Sequence, residues 1–261
     1  MIAYMNQYYG EQVLFKYSTP SQYVDALAAK DVKWPTKYDD MFPYSDNPDS
    51  YWTGYFTSRA NDKGYVRRAS HNFHASTQLY AEKMFDTNLS ADDEQSILSA
   101  SYSMMNELGV NQHHDAITGT AKQAVANDYA RRLYQSMEQN NVEYNKLVAD
   151  KIAAATNLKS DAPWQQCFRT NSTYLDCPVV NYENETFTMN VIVHNPSSLD
   201  LSTARVAVPS GKYSASAFNM ETNSWEVAIS NELCYTDTDA QGNLMNSCFL
   251  VVDKATPARD F

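Results

Sequence analysis

The nonapeptide Gln112-His113-His114-Asp115-Ala116-Ile117-Thr118-Gly119-Thr120 places two imidazoles and a carboxylate side by side, between two segments with helical patterning. Polar ligands and metal ions bind readily at the N-terminus of a helix, where backbone N–H groups are free. The adjacent histidines differ from the helical His-x-x-x-His spacing of metalloproteases, because neighbouring residues point in different directions. The stretch therefore predicts a metal ligand with a polar substrate contact beside it. A capped turn whose histidines bind backbone groups remains the simpler alternative.

The residues that follow extend this motif as Ala121-Lys122-Gln123-Ala124-Val125-Ala126-Asn127-Asp128-Tyr129-Ala130-Arg131-Arg132-Leu133. The whole run resembles the zinc-dependent retaining α-mannosidases of glycoside hydrolase family 38, and the lysosomal type most of all. The resemblance implies that His114 is a zinc ligand and that Asp115 binds hydroxyls of the mannose to be cleaved. His113 is expected to contribute less to zinc binding than His114.

A long loop over residues 35–58 mixes carboxylates with aromatic rings, as in Asp39-Asp40-Met41-Phe42-Pro43-Tyr44 and Tyr51-Trp52-Thr53-Gly54-Tyr55-Phe56-Thr57-Ser58-Arg59. Apolar ring faces can stack on sugar C–H groups while carboxylates accept from hydroxyls. These segments are similar to a second α-mannosidase signature, although Met41 and Ala60 differ from the usual phenylalanine and proline. The similarity implies that Trp52 and Asp40 are substrate-binding. An aromatic ring that only pins the loop to the surface stays open as the alternative for Trp52.

Composition narrows the class of protein. The 261 residues carry a net charge of −11 with an isoelectric point of about 4.8, which argues against a nucleic-acid partner. No apolar run reaches the roughly 20 residues that a membrane-spanning helix needs. The first ten residues lack the basic-then-apolar layout of a signal peptide.

Four cysteines lie in the last hundred or so residues, and their spacing predicts the disulfides Cys167–Cys177 and Cys234–Cys248. Sequons for N-glycosylation occur at Asn171, Asn184 and Asn88. Cysteines and sequons together favour a lysosome or another secretory or extracellular lumen over the cytosol.

The spacing of apolar residues changes along the chain and predicts different secondary structure in different parts. Val13-Leu14-Phe15 is expected to be a buried strand, and Thr19-Pro20-Ser21-Gln22 is a capping box that predicts a helix from Pro20 to about Ala29. Helical apolar spacing then predicts three long helices, joined by short links into an antiparallel bundle. Ser90 is expected to cap the second helix, which closes at Gly109. The third helix is expected to start at Thr120, with Gln123 completing a capping box. Alternating patterns later in the chain predict strands at 187–193, 204–208, 224–230 and 249–252.

The expected architecture is therefore multidomain α/β + α + β. Residues 1–60 are assigned to the C-terminal part of a parallel-sheet α/β catalytic domain with its substrate loop. Residues 61–157 form the three-helix bundle that carries the His-His-Asp site. Residues 158–261 form a linker and the beginning of an antiparallel β-sandwich domain.

In the family that the chain resembles, the nucleophile, the general acid and a His-x-Asp pair of zinc ligands all precede the portion seen here. We therefore expect a section of a larger glycosidase whose other parts are its partners, acting on mannose-containing glycans, with homodimer formation possible. Two other hypotheses compete with this one: a catalytically inactive relative that serves as a glycan-binding or structural secreted protein, and an unrelated secreted helical-plus-β module.

Overall fold

A computed structural model describes residues 1–10, 12–156, 163–166, 186–219, 221–238 and 244–256. The chain divides into two compact units, Met1–Thr53 and Gly54–Phe261. None of the helices in these described ranges combines the length and hydrophobicity that crossing a bilayer requires.

The first unit contains two short helices, α1 (Ile2–Tyr9) and α2 (Pro20–Ala28). Helix α2 begins as predicted, because the Thr19 hydroxyl accepts from the Gln22 amide and the Gln22 side chain accepts from the Thr19 amide. The strand predicted at Val13–Phe15 is wrong. The Asn6 side-chain amide binds both backbone groups of Phe15, at 2.9 Å and 2.6 Å, in place of a neighbouring strand.

The predicted parallel sheet is not seen in the described part of this unit. Its only β pairing is the isolated antiparallel bridge between Ser45 and Tyr51, which closes the aromatic loop. The loop is followed by a 3-10 helix over Thr53–Phe56, where the chain passes into the second unit.

The second unit opens with three long helices, α3 (Ala60–Met84), α4 (Ala91–Asn111) and α5 (Gln123–Thr156). Helix α4 is capped at Ser90, whose hydroxyl accepts from the Asp93 amide as predicted, and it continues past Gly109. Helix α5 begins three residues later than the predicted start at Thr120. The Thr120 hydroxyl donates to Asp115 and therefore does not form the expected capping box with Gln123.

Two apolar clusters set the direction of these helices. One joins the late part of α3 to the early part of α4 and the late part of α5, and consists of Ala75, Leu79, Tyr80, Ile97, Ala100, Tyr144, Leu147 and Val148. The other joins the opposite ends and consists of Val66, Ala69, Met104, Leu133 and Met137. Helix α4 therefore runs antiparallel to both α3 and α5, and the link between α4 and α5 lies beside the second cluster.

A four-stranded antiparallel sheet follows, with the order β1-β4-β3-β2. Its strands are β1 (Leu201–Val208), β2 (Ala215–Asn219), β3 (Ser224–Thr238) and β4 (Leu244–Thr256). The predicted strand at 187–193 is wrong, since this segment has no ladder. Met189 packs against the core of the sheet and Ile192 against the helical core, so the alternation reflects contacts with two different layers.

Candidate functional site

The link between α4 and α5 is a closed loop that carries His113, His114 and Asp115. The amide of Ala121 donates to the carbonyl of Asp115 at 3.1 Å, which closes the loop on itself. Ile117 packs against the apolar cluster around Met104 and Leu133. The loop is thus fastened to the bundle by its apolar residue, while its polar side chains remain accessible.

The two imidazoles and the carboxylate lie close together. Their potential metal-binding atoms, one from each residue, lie within 4.8 Å of one another. Nε2 of His114 is 3.6 Å and Nε2 of His113 is 3.9 Å from Oδ2 of Asp115. The His114 side chain is 85% exposed and the Asp115 side chain 48% exposed, so both can be reached by a ligand.

Two hydroxyl groups orient this cluster. The Thr120 hydroxyl donates to Oδ1 of Asp115 at 2.7 Å, which leaves Oδ2 facing the imidazoles. The Tyr129 hydroxyl, on the first turns of α5, lies 3.1 Å from Nδ1 of His113. With Nδ1 of His113 engaged in this way, its Nε2 is the ring nitrogen that faces Asp115.

The start of α3 holds the loop from the other side. The Ser58 hydroxyl donates to the carbonyl of Gly119 at 3.0 Å. Nη1 of Arg59 donates to the carbonyls of Gly119 and Ala121, both at 2.7 Å. Nζ of Lys63 donates to the carbonyl of Ile117 at 2.5 Å. Three loop carbonyls therefore accept from two cationic side chains.

Gly119 is required at its position for two reasons. Its φ of 74° lies in the left-handed region, which side chains other than glycine rarely adopt. A Cβ atom there would also lie 2.8 Å from the carbonyl carbon of Ser58. The close approach of the loop to Ser58 thus depends on the missing side chain.

Electrostatics support a fixed framework around the loop. Burial lowers the pKa of Lys63 from its ordinary value, as expected for an ammonium group partly removed from water. Glu107 near the end of α4 forms a two-point ion pair with Arg132 of α5, at 2.7 Å and 3.0 Å. Arg132 holds the pKa of Glu107 below its ordinary value, so the pair braces the two helices that flank the loop.

The donor set fits part of a zinc site. Imidazole nitrogens and carboxylate oxygens are ordinary ligands of Zn²⁺, and a site of this kind usually needs three or four of them. His114, with His113 and Asp115 beside it, can supply some of these ligands. A second group of possible ligands, Glu232, Cys234 and Cys248, is less suitable because its two cysteines form a disulfide.

Trp52 and Asp40 belong to the Met1–Thr53 unit. The Trp52 amide donates to the Tyr44 carbonyl at 3.1 Å, and the Trp52 ring meets Tyr44 edge-on at 5.6 Å between centroids while remaining 54% exposed. Asp40 accepts from the amide of Phe42 at 3.0 Å. The substrate-binding roles of Trp52 and Asp40 stay predictions.

The remaining predicted sites have different outcomes. The Cys234–Cys248 disulfide is present and joins facing positions of β3 and β4. Asn88 is exposed in the turn between α3 and α4. Cys167, Cys177, Asn171 and Asn184 lie outside the described residues.

The residues that hold the loop were not predicted from the sequence, namely Ser58, Arg59, Lys63 and Tyr129. Ser58 and Arg59 lie about 60 residues before the loop, and no local pattern connects the two segments. The available signal was the position of Ser58-Arg59 at the end of the aromatic signature.

Comparison with known proteins shows what this region is similar to. Residues 50–151 match the family model described as the alpha mannosidase middle domain, a range that includes the loop and its framework. Over 166 residues, the chain is 42% identical to a probable alpha-mannosidase of Arabidopsis thaliana, which corresponds to 62% of this chain and 15% of that protein.

Two proteins named lysosomal alpha-mannosidase are also similar. The Dictyostelium discoideum protein is 38% identical over 185 residues, or 69% of this chain and 17% of its own length. The Bos taurus protein is 36% identical over 188 residues, or 72% of this chain and 17% of its own length. The chain thus spans less than a fifth of the curated relatives it matches, and the predicted resemblance to α-mannosidases is confirmed.

Proposed function

We propose that this chain, whose residues 50–151 match the alpha mannosidase middle domain, is a section of a retaining glycoside hydrolase that removes α-linked mannose from N-glycans or free oligosaccharides. The observation that carries the proposal is the loop between α4 and α5, where His114 and Asp115 meet inside the region that matches the family. Ser58, Arg59 and Lys63 hold the backbone of this loop through hydrogen bonds to its carbonyl groups.

His114 is proposed as the metal ligand and Asp115 as the group that binds mannose hydroxyls. Oδ1 of Asp115 is held by Thr120, so its carboxylate has a fixed direction and retains acceptor capacity for a sugar hydroxyl. A bound Zn²⁺ would supply a Lewis-acidic grip on adjacent mannose hydroxyls. Trp52 and Asp40 are proposed to bind the sugar as well, with the exposed indole face against sugar C–H groups.

Hydrolysis with retention also needs a carboxylate nucleophile and a carboxylic acid. An acid that is protonated at working pH needs a raised pKa. Asp39 and Asp46 of the first unit are poor candidates, because hydrogen bonds from Lys37 and from Ser50 lower their pKa values instead. We place the nucleophile, the acid and two further zinc ligands, as the family resemblance implies, in other parts of the same enzyme, which are the proposed partners of this chain.

A lysosomal or secretory location is part of the proposal. Two similar proteins are named lysosomal, and the chain has a disulfide and an exposed sequon at Asn88. Peptide mapping without reduction should recover Cys234 linked to Cys248, and deglycosylation should change the mass of a sequon peptide. Free thiols throughout and unmodified sequons would contradict the location.

The activity itself is tested on the full-length enzyme with an aryl α-mannoside. Proton NMR of the first-formed product should show α-mannose, because two displacements preserve the configuration. Asp115→Asn should lower kcat/KM by about a hundredfold or more, on the scale expected when a contact made in the transition state is lost. Asp128→Asn is the matched control, since the Asp128 carboxylate forms an ion pair with the exposed Arg131 on the surface of α5. Mannose binding without hydrolysis in the wild type would favour the inactive glycan-binding relative instead.

A further inference from the structure

We infer that Arg59 is a positioning residue for Asp115 and that it acts together with Lys63 through the carbonyl groups of the loop between α4 and α5. The inference rests on the proposed function, because it concerns how the sugar-binding carboxylate is held. It assigns a role to two side chains that do not themselves belong to the His-His-Asp cluster.

Arg59 is connected to Asp115 by a short series of hydrogen bonds. Its Nη1 donates to the carbonyls of Gly119 and Ala121, the two residues on either side of Thr120. Thr120 in turn donates to Oδ1 of Asp115 at 2.7 Å. Fixing the residues on both sides of Thr120 therefore fixes the direction of the hydroxyl that holds the Asp115 carboxylate.

A second connection runs through the backbone. The carbonyl of Ala121 accepts from Arg59, and the backbone N–H of Ala121 donates to the carbonyl of Asp115 at 3.1 Å. Backbone and side chain of Asp115 are thus both bound to the segment that Arg59 holds. A disturbance at Arg59 should move the carboxylate as a whole.

Lys63 supports the first half of the loop. It lies one turn along α3 from Arg59 and donates to the carbonyl of Ile117, which packs in the bundle core. Ser58 adds a bond to the carbonyl of Gly119 at 3.0 Å. The start of α3 therefore contacts the loop at three successive odd-numbered carbonyls, Ile117, Gly119 and Ala121.

The planar guanidinium is suited to this task, and an ammonium group is a poor substitute. Two hydrogens on one nitrogen of Arg59 reach two carbonyls, and Nη2 lies 3.4 Å from Oε1 of Gln123. A lysine presents a compact charge on a flexible stem and lacks this fixed fork. Arg59→Lys should therefore preserve the charge while losing part of the alignment.

The test uses the full-length enzyme with Arg59→Met, Arg59→Lys and Lys63→Met, and with Arg131→Met as the matched control. Arg131 is an exposed cation on α5 that pairs with Asp128 and does not belong to the framework of the loop. We expect kcat/KM to fall by about 10–100-fold in Arg59→Met, which is the usual loss when a residue that orients a ligand-binding side chain is removed. Arg59→Lys should recover part of the loss, and Arg131→Met should remain within about twofold of the wild type.

A double-mutant cycle with Asp115→Asn separates positioning from general structural damage. If Arg59 acts through Asp115, Arg59→Met should cost much less in the Asp115→Asn background than in the wild type, because the two residues share one effect. The rate of zinc release to a chelator gives a readout besides activity, and we expect faster release in Arg59→Met. If Arg59→Met does not fold, the same cycle is run with Arg59→Lys.

An equal loss of kcat/KM in both backgrounds would overturn the inference, as would wild-type activity and zinc release in Arg59→Met. Either result can be told apart from a failure of the proposed function. If the proposed function is wrong, the wild-type enzyme has no mannosidase activity, or Asp115→Asn has the same activity as the wild type.

Discussion

Thr120 donates a 2.7 Å hydrogen bond to Oδ1 of Asp115, and this bond leaves Oδ2 directed toward the two imidazoles. One hydroxyl thus determines which oxygen of the carboxylate is available to a ligand. It also explains why Thr120 is not the cap of α5, although its place in the sequence suits that role.

Thr120→Val should therefore reduce activity with little change in folding. Valine has nearly the shape of threonine and cannot donate to Asp115, so the carboxylate loses its fixed direction. We expect kcat/KM to decrease by about tenfold or more. Thr120→Ser keeps the hydroxyl and should recover most of the activity. Equal rates for the valine and serine variants would show that the hydrogen bond does not matter.

Gly119→Ala should loosen the loop, because alanine is strained at a φ of 74° and its Cβ would meet the backbone of Ser58. The left-handed conformation alone costs roughly 1–2 kcal/mol. Gly64→Ala, within α3, is the control: its Cβ meets nothing within 4 Å, and alanine should stabilise the helix by about 0.5–1 kcal/mol. Hydrogen exchange of amides in the loop and in α3 measures both effects. Unchanged protection of the loop in Gly119→Ala would contradict the close approach to Ser58.

The Glu107–Arg132 ion pair should make the stability of the bundle depend on pH. Arg132 lowers the pKa of Glu107 below its ordinary value of 4.5. The pair therefore stabilises the folded state above about pH 4.5, and its contribution is lost as the pH falls through the lowered pKa. We expect Glu107→Gln to lower the free energy of opening of α4 and α5 by about 1 kcal/mol near neutral pH.

Hydrogen exchange of the full-length protein across the pH range checks this dependence. The difference between wild type and Glu107→Gln should shrink at pH values below the lowered pKa of Glu107. A difference that stays constant down to strongly acidic pH would mean that the glutamine disturbs packing and that the charge is irrelevant.

Trp52→Ala should lower kcat/KM toward mannosides while the protein remains folded. Trp52 is 54% exposed, and its side chain meets Tyr44 edge-on and hydrogen-bonds Asp46, so about half of it is accessible to a ligand. Tyr44→Phe is a useful comparison, because it keeps the ring that contacts Trp52. An earlier melting transition with unchanged activity per folded molecule would show that Trp52 only pins the loop.

Local signals predicted the helices well. The capping box at Thr19 and Gln22 and the cap at Ser90 fix the starts of α2 and α4 because each depends on residues three positions apart. The His114–Asp115 contact was also predictable, since the two residues are neighbours. In each case the interacting residues are at most three positions apart in the sequence.

Long-range contacts were not predictable in this way. The strand expected at Val13–Phe15 failed because the Asn6 side chain binds Phe15, and a sequence pattern does not reveal that competition. The hydrogen bonds from Arg59 to Gly119 and Ala121 join residues about 60 positions apart. Such contacts follow from the packing of α3 against α5, which emerges only from the assembled bundle.

His114 is proposed to bind zinc in the full-length enzyme, and elemental analysis of purified variants measures the metal that each one retains. His114→Ala should lose the metal together with mannosidase activity. Asp115→Asn should retain the metal and lose activity, and His113→Ala should retain more zinc than His114→Ala. Full zinc occupancy in His114→Ala would show that His114 is not a zinc ligand.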